Sequence, residues 1–160
     1  MSYYIRKAEK KDLPYVAKLL YQVNKVHSDA RPDIFKSGAR KYSDKEILDI
    51  IACDKTPVFV AESNGVVVGY AFCVYKRFVD DNNMTDIKTL YVDDLCVDES
   101  FRGKGVGKSL FEYVYNYAKE NGYYNVTLNV WADNKNAVEF YKKLGLGVQK
   151  IGLEKIIKRD

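Results

Sequence analysis

Two hydrophobic periods run along the chain, one of two residues and one of three to four. The switches between them mark the elements. Residues 3–8 read as a first strand. Leu13, Val16, Ala17, Leu20 and Val23 then recur at helical spacing, with Asp12 as the expected N-cap and Pro14 in the first turn. Both periods fade over 27–42, which reads as irregular, with Arg31-Pro32-Asp33 as a turn. Ser43 followed by Glu46 is a capping-box pattern for a second helix over 44–51. Residues 57–62 and 66–76 are rich in Val, Phe and Tyr, and Asn64-Gly65 between them signals a hairpin. Gly69 inside the second of these strands suggests a bulge. A further strand covers 89–97. Val106, Leu110, Val114, Tyr117 and Ala118 form a helical stripe ending near Gly122. The pattern continues as a strand over 125–131, a helix over 134–144 and one or two closing strands over 148–157.

The resulting order is βααβββαβαβ. Three strands joined by short turns, followed by βαβ units, predict a mixed sheet with helices on its faces. No repeat, low-complexity stretch or linker interrupts 160 residues, so the expectation is one domain over 1–160.

Composition adds mainly exclusions. Charged residues are 30% of the chain and acids are interspersed with bases, so the net charge of +4 forms no basic stripe and nucleic acid is not the expected partner. No apolar run approaches a membrane span, and the first residues do not read as a secretory signal. The odd, scattered Cys53, Cys73 and Cys96 argue against a disulfide framework or a metal site. They suit a reducing, cytoplasmic setting, each as a small buried hydrophobe.

The candidate chemistry starts at Arg102-Gly103-Lys104-Gly105-Val106-Gly107-Lys108, between a strand and a helix. Glycines let backbone approach a ligand, and the N–H groups and dipole of a helix start favour an anion. The plain alternative is a glycine-rich turn entering a helix. A Walker A loop would need glycine where Arg102 stands. The dinucleotide fingerprint would need a small residue where Lys108 stands.

The segment resembles motif A of the GNAT N-acetyltransferase superfamily, Q/R-x-x-G-x-G/A, here Arg102 to Gly107 preceded by Leu95-Cys96-Val97. A second stretch, Asn134 to Gly145, is similar to that family's N-x-x-A-x-x-x-Y-x-x-x-G. The element order is similar too. The resemblance implies a mixed, mostly antiparallel α/β (α+β) sheet of six to seven strands flanked by about four helices. It also implies acetyl-CoA as co-substrate, with no metal, and it allows a homodimer.

Residue by residue, the resemblance implies that Gly103, Lys104, Gly105, Val106, Gly107 and Lys108 hold the pyrophosphate, with Arg102 beside them. Leu95, Cys96 and Val97 hold the pantetheine arm through their backbone, where a neighbouring strand splays away. Asn134 contacts the cofactor, a role compatible with a helix N-cap. Tyr141 protonates the departing thiolate. The glutamate used by the family's ribosomal-protein alanine acetyltransferases is replaced here by Asn129, so their mechanism does not carry over. Other members place a base on the strand before motif A, where this chain has Asp93 and Asp94. A regular strand puts Tyr91, Asp93, Leu95 and Val97 on one face and Asp94 and Cys96 on the other. That favours Asp93, acting directly or through a water, with substrate binding or simple solvation as the alternatives. His27, the one histidine, and Arg31 fall in a region that commonly forms the family's acceptor side. Either contacts substrate or serves a turn.

These readings converge on an N-acetyltransferase passing an acetyl group from acetyl-CoA to a primary amine of a small molecule or peptide, by direct attack in a ternary complex. A protein N-terminal or lysine acetyltransferase and a non-catalytic acyl-CoA-binding regulatory module are the rival readings.

Overall fold

The computed structural model describes residues 2–157. Strand β1 (Tyr4–Lys7) leads through a 3-10 turn (Lys10–Asp12) into α1 (Leu13–Ala30) and then α2 (Asp44–Ala52). Three strands follow, β2 (Val58–Ser63), β3 (Val66–Arg77) and β4 (Lys88–Val97), then a second 3-10 turn (Glu99–Phe101), α3 (Val106–Glu120), β5 (Asn125–Leu128) and α4 (Lys135–Lys143). The chain divides into two compact units, Met1–Asn129 and Val130–Asp160.

The first unit holds a five-stranded sheet in the order β1-β2-β3-β4-β5. The first three pairings are antiparallel and β4–β5 is parallel. Helices cover both faces, so β2 and β3 carry near-continuous apolar runs rather than strict alternation. Val58, Val60, Tyr70 and Phe72 pack on one face with Val16, Leu19 and Leu20 of α1 and Ile47 of α2. Phe59, Ala61, Ala71, Leu90 and Val92 pack on the other with Val106, Leu110 and Val114 of α3. Each fully buried aliphatic or aromatic side chain contributes roughly 1.5–3 kcal/mol. Gly69 lets α3 approach closely: a Cβ there would lie 3.0 Å from Leu110 Cδ1 and 3.1 Å from the Cys96 carbonyl. The neighbouring bulge is at Val68, where β3 has one residue more than β2 between Ala61 and Glu62.

Ser43 and Glu46 close the expected capping box. Asp12 stands at the start of α1, but its carboxylate does not cap that helix. It pairs with Arg6 at 2.8 Å and accepts from the Glu9 N–H. Arg6 also reaches Glu62 at 2.9 Å. A partly buried guanidinium between two carboxylates outcompetes a cap because each charge needs a partner once water is thinned out. Burial raises the Asp12 carboxyl, and the Arg6 hydrogen bond with the Glu9 N–H outweighs it, leaving a net lowering. Cys73 and Cys96 are buried as expected, whereas Cys53 is exposed at the C-terminal cap of α2, one position beyond the apolar stripe.

In the second unit, Asn134 caps α4 by accepting from the Ala137 N–H at 3.2 Å. The one or two strands expected over 148–157 are not formed, and β5 ends at Leu128 rather than 131. The sheet therefore has five strands among the described residues, not six to seven. Alternation specifies which faces a segment would present, but a strand forms only against an edge whose N–H and C=O groups it satisfies.

Candidate acetyl-transfer site

Arg102 leaves the second 3-10 turn and donates through Nε to the Val97 carbonyl at 3.3 Å, folding the loop back on the end of β4. Gly103 and Gly105 have φ of 76° and 83°, left-handed values at which a side chain is strained. Gly105 is the N-cap of α3. The Ser109 N–H makes an intrahelical bond to the Gly105 carbonyl, so the N–H groups of Val106, Gly107 and Lys108 precede the helical ladder. Val106 and Leu110 are fully buried and Tyr3 Oη contacts Ser109 Oγ at 2.8 Å, which fixes the helix start. Lys104 lies over the Phe101 ring at 5.1 Å, and Lys108 stands 3.9 Å from Glu112. The loop thus places a row of backbone donors beside Arg102, Lys104 and Lys108.

β4 does not alternate regularly. Phe72 of β3 opposes Asp94 and Cys73 opposes Val92, so Asp93 is an extra residue opposite nothing. This bulge corrects the periodic reading of the strand. Leu90, Val92, Leu95 and Val97 belong to the α3 face. Asp93, Asp94 and Cys96 all contact the α1–α2 side, through Tyr42, Tyr70 and Leu19. Two adjacent carboxylates therefore share a face, which a regular strand forbids.

β4 pairs with β5 only from Thr89 to Val92, and with β3 as far as Val97. Beyond Val92 the β5-facing edge, including Leu95, Cys96 and Val97, has no β5 partner. About every second residue there turns its N–H and C=O toward that edge. The last β4–β5 pairing is one residue before the acid pair, so the divergence begins at Asp93. Asn129, just past β5, donates to Tyr91 Oη at 3.2 Å.

The two acids differ in surroundings. Asp93 accepts from Tyr42 Oη and pairs with Lys41 Nζ at 3.0 Å. Asp94 accepts from Tyr70 Oη at 2.7 Å, and burial pushes its carboxyl up to about 6 against the opposing pull of that hydrogen bond and of Lys41. A carboxyl with that value is mostly ionised at neutral pH yet basic enough to take a proton. Burial and the neighbouring Asp93 hold Tyr42 firmly in the phenol form. Tyr70 is likewise raised, by burial and Asp94. Burial also raises the Cys96 thiol, to about 12, so it is a packing residue of β4.

His27 and Arg31 sit at the C-terminal end of α1. The His27 ring stacks on Phe35 at 5.0 Å, and burial with the positive charge of Lys41 lowers its pKa. Arg31 makes a two-pronged pair with Asp33 at 2.9 and 2.8 Å, and its carbonyl accepts from the Ile34 and Phe35 N–H groups. Both residues thus shape the turn that the sequence placed there. Asn134 and Tyr141 lie in the second unit, on α4, with the Tyr141 ring 5.0 Å from Phe140.

Sequence reasoning missed Lys41, Tyr42 and Tyr70. Tyr42 immediately precedes the Ser43 cap, which is a signal of a kind, since a cap fixes the direction of the residue before it. Tyr70 carries no local signature at all.

Comparison with known proteins agrees with this architecture. The chain matches the Acetyltransferase (GNAT) family over residues 21–146. An uncharacterised N-acetyltransferase of Methanocaldococcus jannaschii is 34% identical over 108 residues, 66% of this chain and 46% of that protein. A glucosamine 6-phosphate N-acetyltransferase of Arabidopsis thaliana is 28% identical over 116 residues, 72% of this chain and 68% of that protein. The chain spans about half the length of the first two curated relatives it matches. The solved structure of a mutant of the Bacillus halodurans protein BH1408 superposes with a TM-score of 0.92 at 31% identity, covering 97% of this chain and 99% of that one. With a glycine loop opening α3, a β4 that outruns β5 and a family match over most of its length, the chain belongs to the Acetyltransferase (GNAT) family.

Proposed function

We propose that this chain is an acetyl-CoA-dependent N-acetyltransferase whose acceptor is a primary amine. The observation that carries the reading is the bulge at Asp93, which puts two carboxylates side by side where β4 leaves β5. In this reading the N–H groups of Gly103 to Lys108 hold the pyrophosphate, and the free edge at Leu95, Cys96 and Val97 holds the pantetheine arm. A backbone N–H near Val97 polarises the acetyl carbonyl.

The acceptor arrives as an ammonium ion and must lose a proton to become a nucleophile. Asp93 meets it, directly or through a water, and Asp94 behind it has the proton affinity suited to accept the charge. The neutral amine attacks the thioester carbonyl, the C–S bond breaks, and Tyr141 protonates the leaving thiolate. The roles of Asn134 and Tyr141 rest on their motif. Whether the amine belongs to a small molecule or a polypeptide follows from the acceptor side, where Tyr42, Tyr91 and the acid pair offer a site for a cation.

Thiol release from acetyl-CoA, followed with a panel of small amines and peptides, tests this. Turnover with at least one amine, lost in Asp94→Asn and reduced in Tyr141→Phe, is the expected result. Tight acetyl-CoA binding with no turnover on any amine would instead make the chain a non-catalytic acyl-CoA-binding module.

A further inference from the structure

The lysine resting on Asp93 is part of the protein itself, and the loop that delivers it is held on both sides. Asn24 Nδ2 donates to the Lys36 carbonyl at 2.8 Å, tying the segment to α1. Arg40 lies over the Tyr21 ring at 5.4 Å and pairs with Asp44 at 2.7 Å. Tyr42 packs on Phe72 at 5.5 Å and donates to Asp93. Lys41, between these two anchored residues, has its Nζ 3.0 Å from Asp93 Oδ1 and 5.5 Å from the Tyr42 ring centroid. An unanchored surface pair of this kind would be worth at most about 1 kcal/mol and would wander. Here the backbone on either side is fixed, so the amine keeps returning to one carboxylate. The Lys41 side chain is 48% exposed, which leaves it open to a reagent in the cleft.

We infer that Lys41 is itself an acetyl acceptor: the protein acetylates this side chain in cis from acetyl-CoA bound at its own glycine loop. The inference rests on the N-acetyltransferase reading given above and adds a substrate to it. Lys41 satisfies the requirements placed on an external amine. Its ammonium sits on the carboxylate assigned to receive the acceptor, an aromatic ring flanks it, and Asp94 lies behind as the proton sink.

The step balances without a further reagent. The Lys41 ammonium gives a proton to Asp93, directly or through a water, and its lone pair attacks the thioester carbonyl. An N–C bond forms, the C–S bond breaks, and the thiolate takes up a proton. The products are acetyl-lysine, free coenzyme A and one proton: of the two protons the nitrogen loses, one is balanced by the proton taken up at the thiolate and the other passes from Asp93 to solvent. Acetylation removes the charge that held Lys41 on Asp93, so the carboxylate becomes available to an external cation. Lys76 provides an internal comparison, since its Nζ lies over the Tyr91 ring at 4.1 Å on the same face.

The experiment is to incubate the folded chain with isotope-labelled acetyl-CoA and map acetylation by peptide mass spectrometry over time, while thiol release with an external amine is followed in parallel. Lys41 is expected to be modified first-order, at a rate independent of protein concentration and at least about tenfold faster than Lys76. Asp93→Asn should slow Lys41 modification by about a hundredfold while acetyl-CoA still binds. Tyr42→Phe, which keeps the ring on Phe72, covers the case in which the Asp93 variant fails to fold, and should slow it several-fold. Lys41 left unmodified while external amines turn over overturns this inference alone. Modification at the same rate as Lys76, or equally in the denatured chain, also overturns it. Absence of both acetyl-CoA binding and external turnover overturns it together with the function it rests on.

Discussion

The donor side and the acceptor side of the candidate site are built from different materials. In the proposed function the donor side is a contiguous run, Arg102 to Lys108, that offers backbone N–H groups, with its cations drawn toward Val97, Phe101 and Glu112. The acceptor side is assembled from side chains far apart in sequence: Lys41 and Tyr42 before α2, Tyr70 on β3 and the acid pair on β4. A backbone site tolerates many side chains but not a change of φ. A side-chain site keeps its backbone through many substitutions yet loses its chemistry to the change of one atom. Each half should therefore fail in its own way.

The largest difference is expected at Asp94. Asp94→Asn should lower turnover by about a hundredfold, measured by thiol release at saturating acceptor. It should also stabilise the fold at neutral pH. The carboxyl is raised from its ordinary value to about 6, so the native state holds a proton that the unfolded chain has already lost over that interval. Wild-type stability therefore falls as pH rises from about 4 to 6 and stays reduced above that. Asparagine keeps an acceptor for Tyr70 and removes the titration. Allowing for partial solvation, the gain at pH 7 is on the order of 2 kcal/mol, and the slope between pH 4 and 6 should flatten in denaturant titrations at stepped pH. A variant that loses both activity and stability would show that Asp94 serves the fold rather than the reaction.

Next in size is Gly105→Ala. It forces a side chain to a φ of 83° at the N-cap of α3, a strain of about 1–3 kcal/mol. Equilibrium titration should show acetyl-CoA affinity reduced roughly tenfold or more, with the acceptor KM unchanged. A matching rise in the acceptor KM would mean that the two sides are not separable.

That separation also decides how much of the site was legible. The shape of the glycine loop could be read because its parts are neighbours in the chain, with Gly103 and Gly105 at left-handed φ before a helix start. The succession of elements as far as α4, the capping box at Ser43 and the hairpin at Asn64-Gly65 were legible for the same reason. The facing of the acid pair was not. Periodicity assumes one residue per step on both strands; the apolar residues of β4 jump from Val92 to Leu95, and only the β3–β4 pairing identifies Asp93 as the extra residue. The partners of the acids were hidden by separations of 51 residues to Tyr42 and 24 to Tyr70. Residues 148–157 failed for a related reason, because alternation describes a face and pairing needs a second strand.

Tyr42→Phe is expected to act more gently. It removes one hydrogen bond to a carboxylate, worth about 1.5–3 kcal/mol at most, and keeps the ring packing. The acceptor KM should rise several-fold while acetyl-CoA affinity holds, a split visible in two-substrate kinetics. The smallest effect is spectroscopic. Lys41→Gln takes away the positive charge that helps depress His27, so the pKa of the sole histidine should move upward, though burial will still hold it below its ordinary value. A proton NMR titration of its imidazole would register the change, and no movement would place the Lys41 charge away from His27.

The bulge has a consequence for how such a site can be gained or lost. If Asp93 is struck out, Leu90, Val92, Leu95 and Val97 fall back into simple alternation on the α3 face, with Asp94 and Cys96 on the other. The apolar pattern of β4 is therefore that of an ordinary strand with one residue slipped in, and the slipped-in residue is an acid. A single codon adds or deletes a carboxylate in the cleft without moving any core side chain to the wrong side of the sheet. Chemistry at this position can thus be exchanged by insertion and deletion, a route that leaves the packing of both helical layers untouched.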